Sequence, residues 1–489
     1  MDGRGKEIGG YLTVYLALIM GVMVTLSLVL IEGVRLNTLQ LETECIADIG
    51  MDSTLAEYHR ELFKKYNILA LDSSYGTKTV GRVNVQNRLK FYLDKNMVCD
   101  AEDRFPILKG YLYKDFLKLS LEKAEIDEIQ ILTDENGRVF RNEAVRAVKD
   151  DLGLTAFEEL GEWMRVIEKY QLDKRDIEAE KREADRKIAS YEGQRIQINE
   201  EEWETVWFEN PTDVIENRRN RGILSQVLGE ETAVSEKSIN DEHLIYNRMK
   251  AGKINSGNSA KPAADTALDR FWFNEYLMRY MGCFMNEKEK DVLDYEVEYV
   301  IAGQSSDAAN LKSVFHRITA IREAANVVYL YSDSVKCSEA EIAALGLSFV
   351  TLMPEMKDVI KTAILLGWAY AESIYDMKIL TRGGRVPLIK TSENWHYSLT
   401  NVLKDMWEDP NDIEGRAGLG YKDYLRVLLM LADNAEMTGR AMNIVEANLR
   451  MTPGNTAFRL DGCFTKLKAV IAVKSGFGYR QEITVRKEY

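Results

Sequence analysis

Histidine and cysteine, the residue types that most often hold metals, are spaced too widely here to form a recognisable site. The four histidines and five cysteines form no H-E-x-x-H helix and no C-x-x-C pair; they are His59, His243, His316, His396, Cys45, Cys99, Cys283, Cys337 and Cys463. Zinc sites and metalloprotease sites need such spacings. An odd, scattered set of cysteines also gives no disulfide framework. We therefore predict no metal and no cofactor, and interpret each histidine as a surface or packing residue.

Nucleophile and phosphate-binding motifs are also missing or incomplete. Ser120 and Lys123 satisfy S-x-x-K, but the S-D-N and K-T-G companions of that motif do not occur, so we attribute the match to chance. No G-x-x-x-x-G-K-[ST] and no G-x-G-x-x-G follows a strand-like segment. These absences disfavour enzymes that use ATP or a dinucleotide.

Two charged groups remain as candidates for binding or catalysis. Arg382 and Arg385 flank a Gly-Gly turn and could together bind an anion, since guanidinium groups bind carboxylates bidentately; the alternative is an ordinary tight turn. Asp294, Glu296 and Glu298 alternate with aromatic and aliphatic residues, and a glycosidase needs two carboxylates at a fixed separation in a cleft. We interpret this alternation as the polar side of a short element, and predict no catalytic residue and no enzyme.

The first 35 residues dominate the organisation of the chain. Tyr11 to Ile31 carries no charged side chain, and about 20 apolar residues suffice for a helix to cross a bilayer. The rival interpretation, a cleavable signal, would have a shorter apolar run of about 7–15 residues and end in small residues. We predict a transmembrane anchor whose representative residues are Tyr11, Tyr15, Leu18, Leu26 and Ile31.

Charge sets the expected orientation and partners. Arg4 and Lys6 precede the apolar run, and the positive-inside tendency places them in the cytoplasm. We therefore predict a single-pass protein of the cell membrane with its bulk outside the cytoplasm. The net charge of −14 argues against nucleic acid as a partner. The lipid bilayer is the expected partner of the anchor.

The pattern GGYLTVYLALIMGVMVTLSLVLIEGVRL resembles the amino-terminal region of TadE/TadG-type pseudopilins, minor subunits of tight-adherence (Tad) pili. In those proteins a glycine precedes an apolar helix that ends in an acidic-Gly/Phe-Arg cluster. The resemblance makes Gly10 and Tyr11 the candidate prepilin-type cleavage position. It implies partners among pilus or secretion-apparatus proteins, and self-association through helices.

One residue departs from the pilin pattern. Cleavage after Gly10 would place Tyr15, not the glutamate of pilins, at the fifth mature position. In pilins that glutamate is thought to neutralise the amino terminus of a neighbouring subunit within the membrane, where an unpaired charge is costly. Its absence favours a lone or initiating role over a filament core. A cleaved pseudopilin and an uncleaved anchor both stay open.

Four longer blocks resemble an uncharacterised family of single-pass proteins from Gram-positive bacteria. They are LETECIADIGMDSTLAEYHRELFKKYNILALDSSYG, LDYEVEYVIAGQSSDAANLK, IREAANVVYLY and GWAYAESIYDMKILTRGGRVPLIKTSENW. Members are similar to proteins associated with Tad-like pilus loci. The resemblance implies a location and a neighbourhood rather than a reaction.

Periodicity predicts an α+β, helix-rich fold: a transmembrane helix continuing into an amphipathic stalk, and a small antiparallel sheet with large helical insertions. Leu39, Ile46, Ile49, Leu55 and Leu62 recur at helical spacing in the stalk. The predicted segments are 1–35, tail and transmembrane helix; 36–66, stalk; 67–140, small α/β segment; 141–205, long helical or coiled-coil-like arm; 206–262, polar linker; 263–455, helical domain; 456–489, β-hairpin. For the arm, the alternative is a solvated helix that packs on its own domain by one thin stripe.

Individual elements follow from local pattern. Partial alternation at Ile126, Ile129 and Ile131 predicts a strand that closes in the turn Asp134–Gly137. The carboxyl-terminal residues alternate on both sides of Ser475–Gly478, which predicts a hairpin, and isolated hairpins are marginal, so we expect these strands to share one sheet. Residues 363–371 are too short to span a membrane and predict a buried core helix.

Three functional hypotheses follow. The first is a membrane-anchored, non-enzymatic structural or assembly component of a Tad/type IV-like pilus or secretion apparatus. The second is a cell-surface sensor or binding module held by one helix, which a ligand bound in the helical domain would favour. The third is a cell-envelope hydrolase, which converging carboxylates of raised pKa in a cleft would favour.

Overall fold

The computed structural model describes residues 7–97, 117–149, 155–197, 203–205, 210, 212–229, 232–257, 266–286, 288, 291–350, 356–410, 413 and 417–489. In these ranges the helices are α1 (Glu7–Leu55), α2 (Arg60–Tyr66), α3 (Arg82–Met97), α4 (Asp134–Arg146), α5 (Thr155–Tyr170), α6 (Ile177–Tyr191), α7 (Asp213–Arg219), α8 (Ile223–Leu228), α9 (Ile245–Lys250), α10 (Ala267–Tyr280), α11 (Glu296–Ala302), α12 (Asp307–Ser332), α13 (Ser334–Val350), α14 (Lys357–Thr381), α15 (Leu399–Leu403), α16 (Tyr421–Leu431) and α17 (Asn434–Arg450). The strands are β1 (Leu71–Asp72), β2 (Ser120–Ile131), β3 (Arg195–Gln197), β4 (Trp203–Thr205), β5 (Cys463–Lys474) and β6 (Arg480–Glu488).

The chain divides into two compact units. The sheet unit takes its described residues from Met1–Phe140, Gly252–Pro262 and Thr452–Tyr489. The helical unit takes its described residues from Arg141–Ala251 and Ala263–Met451. The prediction of a helix-rich α+β fold with a small antiparallel sheet is confirmed.

Helix α1 has two halves of different character. From Tyr11 to Ile31 its side chains are exposed, whereas Leu39, Ile46 and Leu55 are buried at helical spacing. Among the described residues, Tyr11–Leu55 is the one helix long and apolar enough to cross a membrane. The predicted stalk therefore belongs to the core of the sheet unit. It ends at Leu55, and α2 begins separately where the His59 ring accepts a hydrogen bond from the backbone of Leu62.

Strand β5 is the centre of the sheet. It pairs antiparallel with β2 along one edge and with β6 and the short β1 along the other. The register of β2 shifts between Ile126 and Glu128, and this irregularity lets Ile126 and Ile129, three residues apart, both be buried. The predicted union of the carboxyl-terminal hairpin with the strand near Ile126 is confirmed.

One layer of helices covers the sheet. Helices α1 and α3 pack against each other, and α1 also packs against β6 and α3 against β2, so that the core of the unit lies between helix and sheet. Gly50 of α1 sits against Leu93 and Leu89 of α3, where a Cβ atom would come within 2.7 Å of Leu93. A small residue at this position allows the two helices to approach closely.

The helical unit is built around α12 and α14. Residues 363–371, the predicted core helix, lie in the middle of α14, and Trp368 there is fully buried with its indole N–H donating to the Tyr397 carbonyl at 2.8 Å. Helices α6, α8, α12 and α13 all pack on α14. A helix that is apolar all round is expected to be buried in this way.

Two predicted segments differ from the structure. The coiled-coil-like arm is instead two helices, α5 and α6, separated by a turn, and Ile167 and Ile188 bury one narrow stripe of each within the helical unit. The polar linker contains α7, α8 and α9, which bury Ile215, Ile223 and Ile245. Short helices with only one or two buried aliphatic residues leave little periodicity in the sequence.

Candidate functional site

Two carboxylate side chains and two positively charged side chains contact one another in the interior of the helical unit. Arg322 comes from α12, Glu372 and Asp376 come from α14, and Lys390 comes from the loop that follows α14. We call these four residues the buried charge cluster. Glu372 and Asp376 lie four residues apart on one helix face, so both carboxylates point in the same direction.

The distances within the cluster are those of direct ion pairs. Asp376 Oδ2 accepts from Arg322 Nε at 3.0 Å and Nη2 at 2.8 Å, and Lys390 Nζ lies 2.6 Å from Asp376 Oδ1. Lys390 also contacts the Glu372 carboxylate. The same carboxylate accepts the backbone N–H groups of His396 at 2.8 Å and Tyr397 at 3.0 Å. The formal charges of the cluster therefore balance.

Further hydrogen bonds extend the cluster across the unit. Arg322 donates to the carbonyls of Pro387 and Leu388 and to the Tyr424 hydroxyl of α16. Asn326 donates to Ser373 and to Asp376. The cluster thus ties α12, α14, α16 and the loop after α14 together.

The electrostatics favour the charged forms of Asp376 and Arg322. Burial by itself would raise the pKa of Asp376, but the positive charges of Lys390 and Arg322 outweigh it and lower that pKa. Burial acts to lower the pKa of Arg322, and Tyr424 and Asp376 more than reverse it, so that this pKa is raised. Both side chains are fully buried. These ion pairs join helix to helix and helix to loop.

A cavity of about 360 Å³ lies beside the cluster. Its walls include Asp376, Lys390, Arg385, Trp395 and His396. The His396 ring stacks on Tyr375 with centroids 3.8 Å apart. This cavity is large enough for a small polar molecule and brings charged and aromatic groups together.

Two of the three acidic residues that alternate with apolar ones lie in a different environment from the one predicted. Glu296 and Glu298 lie in α11, and both are fully buried instead of forming a polar side. Glu296 accepts the backbone N–H of Gly282 at 2.8 Å, and Glu298 Oε1 accepts the N–H of Phe284 at 3.0 Å. The error arose because alternation cannot distinguish a solvated carboxylate from one that binds a loop backbone.

Glu298 stands out among these carboxyl groups. Its Oε1 also accepts the Tyr421 hydroxyl at 2.7 Å, whereas its Oε2 is buried with no hydrogen-bond partner in the part of the chain that is described. Burial raises the pKa of Glu298 to about 7, although its hydrogen bonds oppose the change. Burial, and next the charge of Glu298, raise the pKa of the neighbouring Cys283 thiol to about 12.

The predicted anion-binding turn binds carboxylates of its own chain. Arg382 Nη2 lies 2.8 Å from Asp409 Oδ2, and Arg385 Nη2 lies 2.9 Å from Asp423 Oδ2. Arg385 also donates to the Gly418 carbonyl. The turn follows α14 and opens on the cavity through Arg385.

The remaining predicted residues are dispersed. Gly10 and Tyr11 lie inside α1, and the anchor side chains are all exposed: Tyr11, Tyr15, Leu18, Leu26 and Ile31. His59 contacts Asn455 and Phe458, and Cys99 lies outside the described residues. Within the described ranges, no group of three or more His, Cys, Asp or Glu residues has the arrangement of a metal site.

The comparison with protein families covers the region that contains the cluster. Residues 201–475, more than half of the chain, match a family described as "Family of unknown function (DUF5702)". The chain belongs to the DUF5702 family. No curated protein and no solved structure matches it. In this DUF5702 protein the matched stretch includes Arg322, Asp376, Lys390 and Glu298, whereas α1 precedes it.

Sequence reasoning missed the buried charge cluster as a cluster. All four members lie in blocks that carry the family resemblance: Arg322 in IREAANVVYLY and the other three in the block that begins at Gly367. Their meeting depends on the packing of α12 against α14, which no local pattern encodes.

Proposed function

We propose that this DUF5702 protein is a membrane-anchored, non-enzymatic assembly component, similar to a minor pseudopilin, of a Tad-type pilus or secretion apparatus of Gram-positive bacteria. The amino terminus would be cytoplasmic and both units would lie outside the cytoplasm. The observation that carries the proposal is the two-part α1, exposed and apolar from Tyr11 to Ile31 and then packed under the sheet. A helix that runs from an apolar half directly into the folded part is what the resemblance to pseudopilins implies.

The buried charge cluster supports a structural role for the helical unit. Asp376 and Lys390 face the neighbouring cavity as an ion pair rather than as a free acid or a free base. Because a catalytic acid or base must exchange a proton with its substrate, this internal pairing favours a rigid scaffold over a hydrolase.

The anchor can be tested with charged substitutions. In the full chain, Leu18→Arg combined with Leu26→Arg is expected to move the protein out of the integral membrane fraction, because each arginine at the centre of a span costs roughly 3 kcal/mol. The measurement is extraction of membranes at alkaline pH followed by flotation. Leu36→Arg with Leu41→Arg, two exposed positions beyond the apolar run, is the matched control and should stay membrane-bound. Equal retention of both double variants would contradict the anchor.

The assembly role needs a second experiment. A photo-crosslinking residue placed at Leu26 in cells should capture pilus or secretion-apparatus proteins or a second copy of the chain, and deletion should abolish surface filaments or secretion. The intact mass of the captured chain reports processing: a start at Tyr11 supports a pseudopilin, and a start at Met1 supports a permanent anchor. Normal filaments and normal secretion in the deletion strain would refute this proposal.

The cavity beside the cluster favours a second candidate, an anchored binding module. Lys390, Arg385, His396 and Trp395 together offer charge and an aromatic surface in about 360 Å³. Native mass spectrometry of the protein released from its own membrane tests this candidate. A retained small molecule that is lost on Arg385→Met, at a half-exposed position in the cavity wall outside the cluster, would support it.

A further inference from the structure

The turn of the carboxyl-terminal hairpin is compact. Strand β5 ends at Lys474 and β6 begins at Arg480, and between them the Ser475 N–H donates to the Tyr479 carbonyl at 2.8 Å. The Gly478 N–H donates to the Ser475 carbonyl at 2.9 Å, and Gly478 has a φ of 88°, which glycine adopts without strain. We call Ser475–Tyr479 the hairpin turn.

The hairpin turn is fastened to α1 where the apolar run ends. The Tyr479 hydroxyl donates to the Glu32 carboxylate. The Arg35 guanidinium lies over the Phe477 ring at 4.5 Å from its centroid and pairs with Glu32 at 3.2 Å. Glu32 and Arg35 are the first charged residues after Ile31. Because α1 is one continuous helix, these contacts fix the height of the turn along it.

That height coincides with the edge of a bilayer. At 1.5 Å per residue the run from Tyr11 to Ile31 is about 31 Å long, close to the hydrocarbon thickness of about 30 Å. Glu32 then lies at the boundary, and Arg35 lies about 4.5 Å beyond it, in the headgroup layer. Aromatic and basic side chains are the ones enriched at this depth.

The composition around the turn suits that layer. Phe477 is 48% exposed, so its ring is accessible to an apolar phase. Lys474 and Arg480 flank the turn and are exposed. Lys118 is exposed too, and the Gly476 N–H donates to the adjacent Leu117 carbonyl at 2.8 Å. An aromatic side chain with nearby cations matches a surface of apolar chains and phosphates.

We propose that the hairpin turn is a second membrane contact, with Phe477 seated in the interfacial layer of the bilayer that α1 crosses. Lys118 and Lys474 face the phospholipid phosphates around it, whereas Arg480 pairs with Glu122 at 2.7 Å and with Glu482 at 3.2 Å. The inference rests on the proposed anchoring of α1. A second attachment beside the end of the apolar run restrains the tilt of the sheet unit, which a single helix would not do.

Depth-dependent quenching tests the contact in the full chain. Phe477→Trp is reconstituted into phospholipid vesicles that contain lipids brominated near the headgroup or deep in the acyl chain. The seven native tryptophans all belong to the sequence of the helical unit. Their fluorescence is subtracted by measuring the wild-type protein in the same vesicles. Phe91→Trp is the matched control, because Phe91 is 43% exposed in the same unit and also lies under a cation, at 5.2 Å from Arg88.

The outcomes separate this inference from the anchor. The Phe477→Trp difference emission should fall by roughly half or more with the shallow quencher, while Phe91→Trp stays unquenched. Leu26→Trp, in the apolar run, should respond to the deep quencher. Quenching of Leu26→Trp without quenching of Phe477→Trp would overturn the hairpin contact and leave the anchor intact. If Leu26→Trp is not quenched by either lipid, the proposed anchor is contradicted, and this inference is contradicted with it.

Discussion

Replacing Asp376 with asparagine is expected to lower the free energy of unfolding of the helical unit by about 3–5 kcal/mol. The change removes one of the two anions of the buried charge cluster. Lys390 then keeps the Glu372 carboxylate as its partner, whereas the buried Arg322 guanidinium loses the carboxylate that it contacts in the cluster. An uncompensated buried charge is far more costly than the loss of an exposed ion pair.

Tryptophan fluorescence during urea denaturation of the full chain in detergent measures this effect. Trp368 and Trp395 lie beside the cluster, and all seven tryptophans belong to the sequence of the helical unit, so the signal reports on that unit.

Asp409→Asn is the matched control for Asp376→Asn. Asp409 also contacts one lysine, Lys378, and one arginine, Arg382, but its side chain is 58% exposed. Its loss is expected to cost less than about 1 kcal/mol. Equal effects of the two substitutions would contradict the stabilising role of the cluster.

A double substitution separates the charge from the packing. Arg322→Met with Asp376→Leu removes one cation and one anion together and leaves Lys390 paired with Glu372. It is expected to destabilise the unit less than Asp376→Asn alone, because no charge is stranded. If the double variant loses more free energy of unfolding than Asp376→Asn does, the hydrogen bonds from Arg322 to the loop carbonyls contribute more to stability than the charge pairing does.

Glu298 is expected to make the helical unit less stable as the pH rises. Burial raises the pKa of Glu298 from its ordinary value of 4.5 to about 7 in the folded chain. The folded state therefore binds this proton more tightly than the unfolded state does. The stabilisation is complete below pH 4.5 and is lost as the pH rises through 7. At about 1.4 kcal/mol for each pKa unit, the loss amounts to about 3 kcal/mol.

Glu298→Gln isolates this contribution. Glutamine keeps an oxygen that can accept the Tyr421 hydroxyl but carries no charge. Denaturation at a series of pH values should show the wild type losing stability relative to the variant between pH 4.5 and 7, with a constant difference above. Glu393→Gln, at an exposed position, should run parallel to the wild type. Parallel curves for Glu298→Gln as well would show that the carboxyl group titrates normally.

Local patterns predicted the parts of this protein that local physics determines. The apolar run from Tyr11 to Ile31, the core helix around Trp368 and the hairpin around Ser475–Gly478 each follow from side chains within one segment. The hydrophobic effect acts on every such segment in the same way wherever it lies, so its periodicity or length is sufficient. Family membership adds no activity, because the DUF5702 description is of unknown function.

Positions that depend on partners distant in the sequence were predicted poorly. Glu296 and Glu298 seemed to be solvated, but loop N–H groups of Gly282 and Phe284 hold them in the interior. The region around Ile215 seemed to be a linker, yet that residue packs against Gly367 of α14. A polar or weakly apolar residue is buried only when other elements supply its partner.

The sequence by itself determined the apolar helix, the helix-rich class and the strands of the small sheet, because each depends on periodic burial within one segment. Only the tertiary structure decided that Arg322, Glu372, Asp376 and Lys390 meet, and that Phe477 stands at the end of the apolar run. The physical reason is the range of the interactions. Backbone hydrogen bonds and amphipathic patterns act over a few residues, whereas ion pairs and aromatic contacts join whatever side chains the fold brings within a few ångströms.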